Sequence, residues 1–232
     1  MTERIAPPSR KGVERKAQIL DAALLIIGRD GLGGLTMRSL AAEAGIPLGA
    51  LSYYFANKDE LVLQAFEAHS QRELRRVMRS VASIGTAGSA ADLADALADF
   101  AIEGLAEAQL DLVAEYEYVL EASRRPELAR ASNALRQSLQ TLLAEVLTRL
   151  GSDDPETDAR IIVTVMGGVE VDNLTGTAPT SAQRDSIRAM MSRVLGSLNR
   201  AWQPVEGAAD HPAASGIAAG AASLTTTEGD RP

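Results

Sequence analysis

The chain has 232 residues, 46% hydrophobic and 23% charged, which is enough apolar mass for one or two domains with real cores. It contains no cysteine, which excludes disulfides and thiolate zinc sites, and its two histidines, His69 and His211, are too far apart in sequence to suggest a histidine metal cluster or a catalytic triad. The net charge of −8 argues against nucleic acid only until it is divided: residues 1–80 carry 12 Lys and Arg against 9 Asp and Glu, and residues 81–232 carry 11 against 22. A chain that touches phosphates with one end needs positive potential only there, because charges more than about 10 Å from the contact are largely screened.

In chain order, residues 1–9 lack periodicity and, with Arg4, Arg10 and Lys11 nearby, read as a flexible basic arm without the apolar core of a signal peptide. A first helix is expected from about Arg10 to Arg29, its broad apolar face formed by Ile19, Leu20, Ala23, Leu24, Ile26 and Ile27. Gly31, Gly33 and Gly34 then predict a loop. From Thr36 to Lys58 the sequence reads as a short helix, a tight turn and a second short helix, the layout of a helix-turn-helix. Thr36 is placed to cap the first helix, and Leu40 and Ala41 lie on its buried face. Gly45 suits the left-handed conformation that ends it, and Pro47 suits a helix start. In the second helix Leu51 and Phe55 point inward, leaving Leu48, Gly49, Ser52 and Tyr53 outward. A packing-only helix pair is the competing reading.

Asn57 with Glu60 suggests a capping box that opens a helix to about Val81. At about 1.5 Å per residue this helix is long enough to cross from the first unit into a second. Further helices are expected near 90–108, 110–124, 126–150, 154–175 and 181–202, punctuated by Ser89, Arg125–Pro126, Gly151, Asp154–Pro155 and Gly176, with a Thr180/Gln183 capping box opening the last. From 204 to 232 the chain is rich in Ala, Gly, Pro, Ser and Thr and reads as a disordered tail. No valine-rich alternation suggests a sheet, so the fold class is all-α: a helix-turn-helix unit over 10–57 and a second helical domain over 58–203. The longest uncharged apolar run near the core, Ile161 to Val169, is too short to span a bilayer, which predicts a cytoplasmic protein.

The stretch TMRSLAAEAGIPLGALSYYFANKDEL, preceded by RKAQILDAALLIIGRDGLGGL, resembles the N-terminal domain of the TetR family of bacterial transcriptional regulators. The likeness spans about residues 13–66 and rests on the Ile19–Leu20–Ala22–Ala23 run, Gly31, Thr36, the Leu40–Ala41–Ala44–Gly45 frame, Gly49, Leu51, Tyr54–Phe55, Lys58 and Leu61. The chain departs from the family's usual pattern at Pro47 and Ser52, both in or near the recognition helix, which leaves the operator sequence open. Thr36, Arg38, Leu48, Gly49, Ala50, Ser52, Tyr53, Tyr54 and Lys58 are the DNA-contact candidates, Lys58 and the tyrosines toward the backbone and the small residues toward the bases.

The resemblance implies that the last two helices pack against their copies in a second subunit. Ile162, Met166, Gly167, Val169, Met190 and Val194 are the interface candidates. The 154–175 helix is apolar on more than one face, so it should be buried on both sides, and Gly167–Gly168 marks either that seam or an internal helix crossing. The resemblance also implies a ligand pocket among the middle helices, with Phe100, Glu107, Leu112, Glu115, Tyr116 and Val119 as candidate lining. Glu107 and Glu115 either face water or are paired by Arg124–Arg125 or a cationic ligand, whereas Glu117 and Glu121 read as solvated. No phosphate loop, nucleophile elbow or Glu-x-x-His pattern is present, so no metal or other cofactor is expected. The expectation is a dimeric DNA-binding repressor released by a small molecule; an enzyme or a helical dimerising module is the alternative.

Overall fold

The computed structural model describes residues 10–82, 84, 88–175 and 177–200. Among them the secondary structure is entirely helical: α1 (Arg10–Gly34), α2 (Met37–Glu43), a 3-10 helix (Leu48–Tyr53), α3 (Lys58–Ala82), α4 (Ala90–Glu107), α5 (Gln109–Ala122), α6 (Pro126–Arg149), α7 (Pro155–Asn173) and α8 (Ser181–Leu198). The expected arm over 1–9, the tail over 204–232 and the Gly176 stop lie outside the described residues. None of the described helices is long and apolar enough to cross a membrane.

Local chemistry fixes most borders. The Thr36 hydroxyl accepts the Ser39 amide at 3.0 Å while Ser39 Oγ accepts the Thr36 amide at 2.9 Å, a reciprocal cap for α2. Ser89 with Asp92 and Thr180 with Gln183 do the same for α4 and α8. Pro126 and Pro155 occupy first turns, where a missing N–H costs nothing. At α3 the cap is shared: Asn57 Oδ1 accepts the Glu60 amide at 2.9 Å, and the Glu60 carboxylate reaches back to the Ala56 amide at 2.7 Å rather than to Asn57 itself.

Two expectations are corrected. Gly31 breaks the helix as expected, with a φ of 72° that only glycine adopts freely, but Gly33 and Gly34 do not form a loop, because a helical turn resumes after the kink and carries α1 to Gly34. The second helix of the helix-turn-helix is a six-residue 3-10 helix rather than an α-helix. Such short segments close on i→i+3 bonds, as Ala50 N–H to Pro47 O does at 2.9 Å. The Phe55 amide still reaches Leu51 O at 3.0 Å, which keeps Leu51 and Phe55 on one inward face.

Two cores result. One joins Ile19, Leu24, Ile27, Leu40, Leu51 and Phe55 to Leu61, Val62 and Phe66 of α3, and extends to Ala114 and Tyr118 of α5 and Leu128 and Leu135 of α6. The other gathers α4, α7 and α8 with the far end of α3 at Val77 and Val81. The DNA-binding unit is therefore seated on α3 and α5 together. A Cβ at Gly28 would overlap the backbone carbonyl of Leu110, so α1 and α5 cross at a distance that only glycine permits.

Candidate DNA interface and ligand cavity

The outward edge of the helix-turn-helix is built from small or extended side chains. Leu48, Gly49, Ser52 and Tyr53 are exposed, Tyr53 at 84%, and Ala50 is half-buried. Tyr54 is half-buried with its ring edge-on to Tyr53, the centroids 5.1 Å apart. Gly45, with φ 62°, makes the turn between the two helices. Thr36 is occupied by its capping role, and Arg38 is exposed on the first turn of α2. Lys58, at the start of α3, leans its ammonium toward Leu32 O at 3.5 Å. Beneath this face Lys16 lies over the Phe55 ring, 5.7 Å from its centroid.

A cavity of about 210 Å³ lies between α3, α5, α6 and α7. Phe100, Glu115, Tyr116 and Val119 line it as expected, together with Phe66, Val77, Leu97, Leu139, Leu143 and Met166. Two of the candidates lie elsewhere. Leu112 is buried beside a second cleft formed with His69, Arg72 and Arg76, and Glu107 is exposed at the end of α4. Arg124 and Arg125 are not available to pair an acid in the cavity, because both bind Glu121 and Arg125 also reaches Asp59 at 2.6 Å. Nor is Glu117 solvated: its carboxylate accepts the Leu32 amide at 3.0 Å, beside the Gly31 kink. α5 thus presents three consecutive polar residues to three places. Glu115 meets His69 Nε2 at 2.9 Å, Tyr116 turns to the cavity and Glu117 holds the DNA-binding unit.

Three acids, Glu73, Glu115 and Glu170, face the cavity from three helices. Arg76 binds both Glu73 oxygens at 3.2 Å and lays its guanidinium on the Phe100 ring, 3.6 Å from the centroid. Burial alone would lower His69, but the hydrogen bond and charge of Glu115 outweigh it and hold the imidazole above its ordinary range. Among the described residues Glu170 makes no ion pair; it accepts the Tyr116 hydroxyl at 3.0 Å, while the same hydroxyl also lies 3.1 Å from Gly167 O. Burial, then the charges of Glu115 and Glu73, push Glu170 up to about 8, against the smaller pull of Tyr116 and Arg76.

The family described as "Bacterial regulatory proteins, tetR family" matches residues 19–65, and the one described as "Tetracyclin repressor-like, C-terminal domain" matches residues 88–197. A solved member of the TetR family from Streptomyces coelicolor A3, SCO1917, is 30% identical with a TM-score of 0.62, over 78% of this chain and 98% of that one. The chain belongs to the TetR family. It is a DNA-binding transcriptional regulator, all-α, with the family's helix-turn-helix ahead of its helical C-terminal domain. Among its TetR-family relatives, the nicotine-responsive transcriptional repressor HdnoR of Paenarthrobacter nicotinovorans is 26% identical over 161 residues, 67% of this chain and 81% of HdnoR. The multidrug binding protein EbrR, solved with ethidium, is 31% identical with a TM-score of 0.59, over 78% of this chain and 98% of that one.

On the C-terminal helices of this TetR-family regulator the outward face differs from the expected one. Ile162, Met166 and Val169 are buried in the chain's own core, so these side chains have no surface left for a second subunit. The apolar residues and glycine that α7 turns outward are Ile161, 39% exposed, Gly168, and Val171, 54% exposed, beside the polar Arg160 and Thr164; α8 adds Met190, 43% exposed, and the half-buried Val194. Gly167 is half-buried beside the Tyr116 hydroxyl, and around Gly168 a Cβ would meet nothing within 4 Å. Sequence reasoning missed Glu170, Glu73 and Arg76. One signal was present: Glu170 is the single charged residue between Ile161 and Val171.

Proposed function

We propose that this regulator is a cytoplasmic repressor that binds a pseudo-palindromic operator as a homodimer, without catalysis of its own, and leaves it when a small molecule fills the cavity between α3, α5 and α7. The observation that carries the reading is mechanical: the cavity touches the two helices, α3 and α5, whose other surfaces hold the DNA-binding unit. Leu48, Gly49, Ala50 and Ser52 face the bases, since small side chains let the 3-10 helix come close to the groove floor, and the exposed Tyr53 reaches the backbone. Arg38 and Lys58 bind phosphate or groove edge, with Tyr54 behind them, and Thr36 serves by holding the start of α2 in place. Two such units reach successive major grooves only across a two-fold axis. The seam is formed by Ile161, Gly168, Val171, Met190 and Val194, with Gly167 behind it; a glycine with open space above its Cα invites close approach by a second helix. That HdnoR is nicotine-responsive and that EbrR holds ethidium supports a small-molecule signal.

The test begins with selection of genomic DNA fragments by the full chain, followed by fluorescence anisotropy on the enriched site. Binding as a dimer to a site with two-fold symmetry, falling steeply with salt, is the expected result. Failure to enrich any symmetric site sinks the reading.

A further inference from the structure

The cavity's chemistry says more than that something small fits. Its walls are mostly apolar, with Phe66, Leu143 and Met166 among them, so the occupant has an apolar body. Of the three acids, Glu73 is paired with Arg76 and Glu115 with His69, and among the described residues Glu170 has no cationic group in contact. The charged groups around Glu170 are Glu73 and Arg76 from α3 and Glu115 from α5. Arg136 from α6 is exposed to water, where its charge is screened, and α4 contributes only Leu97 and Phe100 to the lining. Among the described residues Tyr116 supplies Glu170's one hydrogen bond from a side chain. Among the described residues no group of acids and histidines is arranged to hold a metal ion. A half-buried carboxylate with no ion-pair partner of its own among the described residues, at the wall of an apolar chamber, is complementary to a positive charge carried on an organic body.

We propose that the ligand of this cavity is an organic monocation with an apolar body, held with its positive centre against the Glu170 carboxylate. This rests on the cavity being the effector site. Without ligand, loss of hydration and then the charges of Glu115 and Glu73 keep Glu170 protonated at neutral pH; a bound cation supplies a counter-charge and the carboxyl gives up its proton. Binding therefore releases about one proton below pH 8, and affinity rises by up to about tenfold per pH unit until Glu170 is ionised in the free protein. The Tyr116 hydroxyl holds the carboxylate in position and lowers the pH at which this happens.

The pair N-methylquinolinium and quinoline tests the proposal, because they share size and shape, and the first is a permanent cation that cannot itself titrate. Isothermal titration calorimetry on the full chain at pH 6 and pH 8, in buffers of different ionisation enthalpy, gives affinity and protons released together. The cation is expected to bind at least about tenfold more tightly than quinoline at pH 8, with the gap narrowing at pH 6. Glu170→Gln, nearly isosteric, is expected to abolish the preference while keeping quinoline's affinity, and Tyr116→Phe to move the pH dependence upward. Equal binding of the two compounds at pH 8, a preference that survives Glu170→Gln in a folded variant, or no binding of either at millimolar concentration overturns the proposal. Operator binding without ligand is measured on the same preparations. Its loss counts against the regulator reading, and cation binding that leaves operator affinity unchanged counts against the release mechanism while upholding the ligand class.

Discussion

Glu170 carries a proton where most carboxylates do not, and the stability of the folded chain depends on it. Its pKa stands near 8 against an ordinary 4.5, so between those values the native state holds a proton that the unfolded chain has released. Stability then falls as pH rises across that window. Glu170→Gln removes the cost: thermal melts are expected to coincide with the parent at pH 4.5 and to show the variant more stable at pH 8.5, by on the order of 1–3 kcal/mol. His69 adds a fall of the same sign, because its raised pKa means that its ion pair with Glu115 is lost as pH rises, so the diagnostic is the difference between variant and parent. At the DNA face, Lys58→Ala is expected to weaken specific and non-specific binding alike and to flatten the salt slope by about one unit. A loss confined to one operator base pair would make Lys58 a reader instead. The residue types of Glu115 and Tyr116 on an apolar helix made them legible as cavity lining. Glu73 and Glu170 were hidden because they are brought together by packing across 97 sequence positions, and periodicity within one helix carries no trace of that.

Elements with chemical punctuation were the legible ones. Thr36, Thr180, Pro126 and Pro155 each satisfy or forgo an orphan backbone donor, so the helix starts they mark could be placed from the sequence within a residue or two. The Gly31–Gly34 run was half legible: Gly31 does leave the helical region, but glycine weakens a helix without forbidding it, and tertiary contact, including Glu117 on the Leu32 amide, holds the turn that follows. The bearing of α1 on α5 was invisible for the same reason: Gly28 lies mid-helix, and nothing nearby in sequence announces Leu110. Its consequence can be tested. Gly28→Ala forces α1 from α5, because the carbonyl it would strike belongs to backbone and cannot swing aside. The expected loss is about 1–3 kcal/mol in denaturant unfolding, with operator affinity reduced because the DNA-binding unit shifts on its seat. A variant as stable as the parent would mean that the crossing opens at no cost.

At the scale of the whole molecule the question is how a filled cavity spoils operator binding some distance away. The first turns of α3, through Leu61 and Val62, share a core with the recognition unit, while Val77 and Val81 belong to the other core. α5 runs beside it with Glu115, Tyr116 and Glu117 tied to His69, the cavity and the Leu32 amide. A ligand that displaces the far end of α3 or turns Tyr116 must therefore move the DNA-binding unit. Half-sites one turn of DNA apart, about 34 Å, tolerate little change in the spacing of two such units. A thousandfold release needs only about 4 kcal/mol of differential affinity, or about 2 per subunit, well within reach of a ligand that binds the splayed state more tightly. Release by dissociation into monomers makes a different demand, because it must undo the seam proposed on α7 and α8. Ile161→Glu, at an exposed apolar position well away from the cavity lining, is expected to give monomers by sedimentation and to lose operator binding without any ligand. For the parent chain, a compound that lowers operator affinity is expected to leave the mass of an intact dimer. A monomer on adding the compound would place the switch at the seam and refute transmission through α3 and α5.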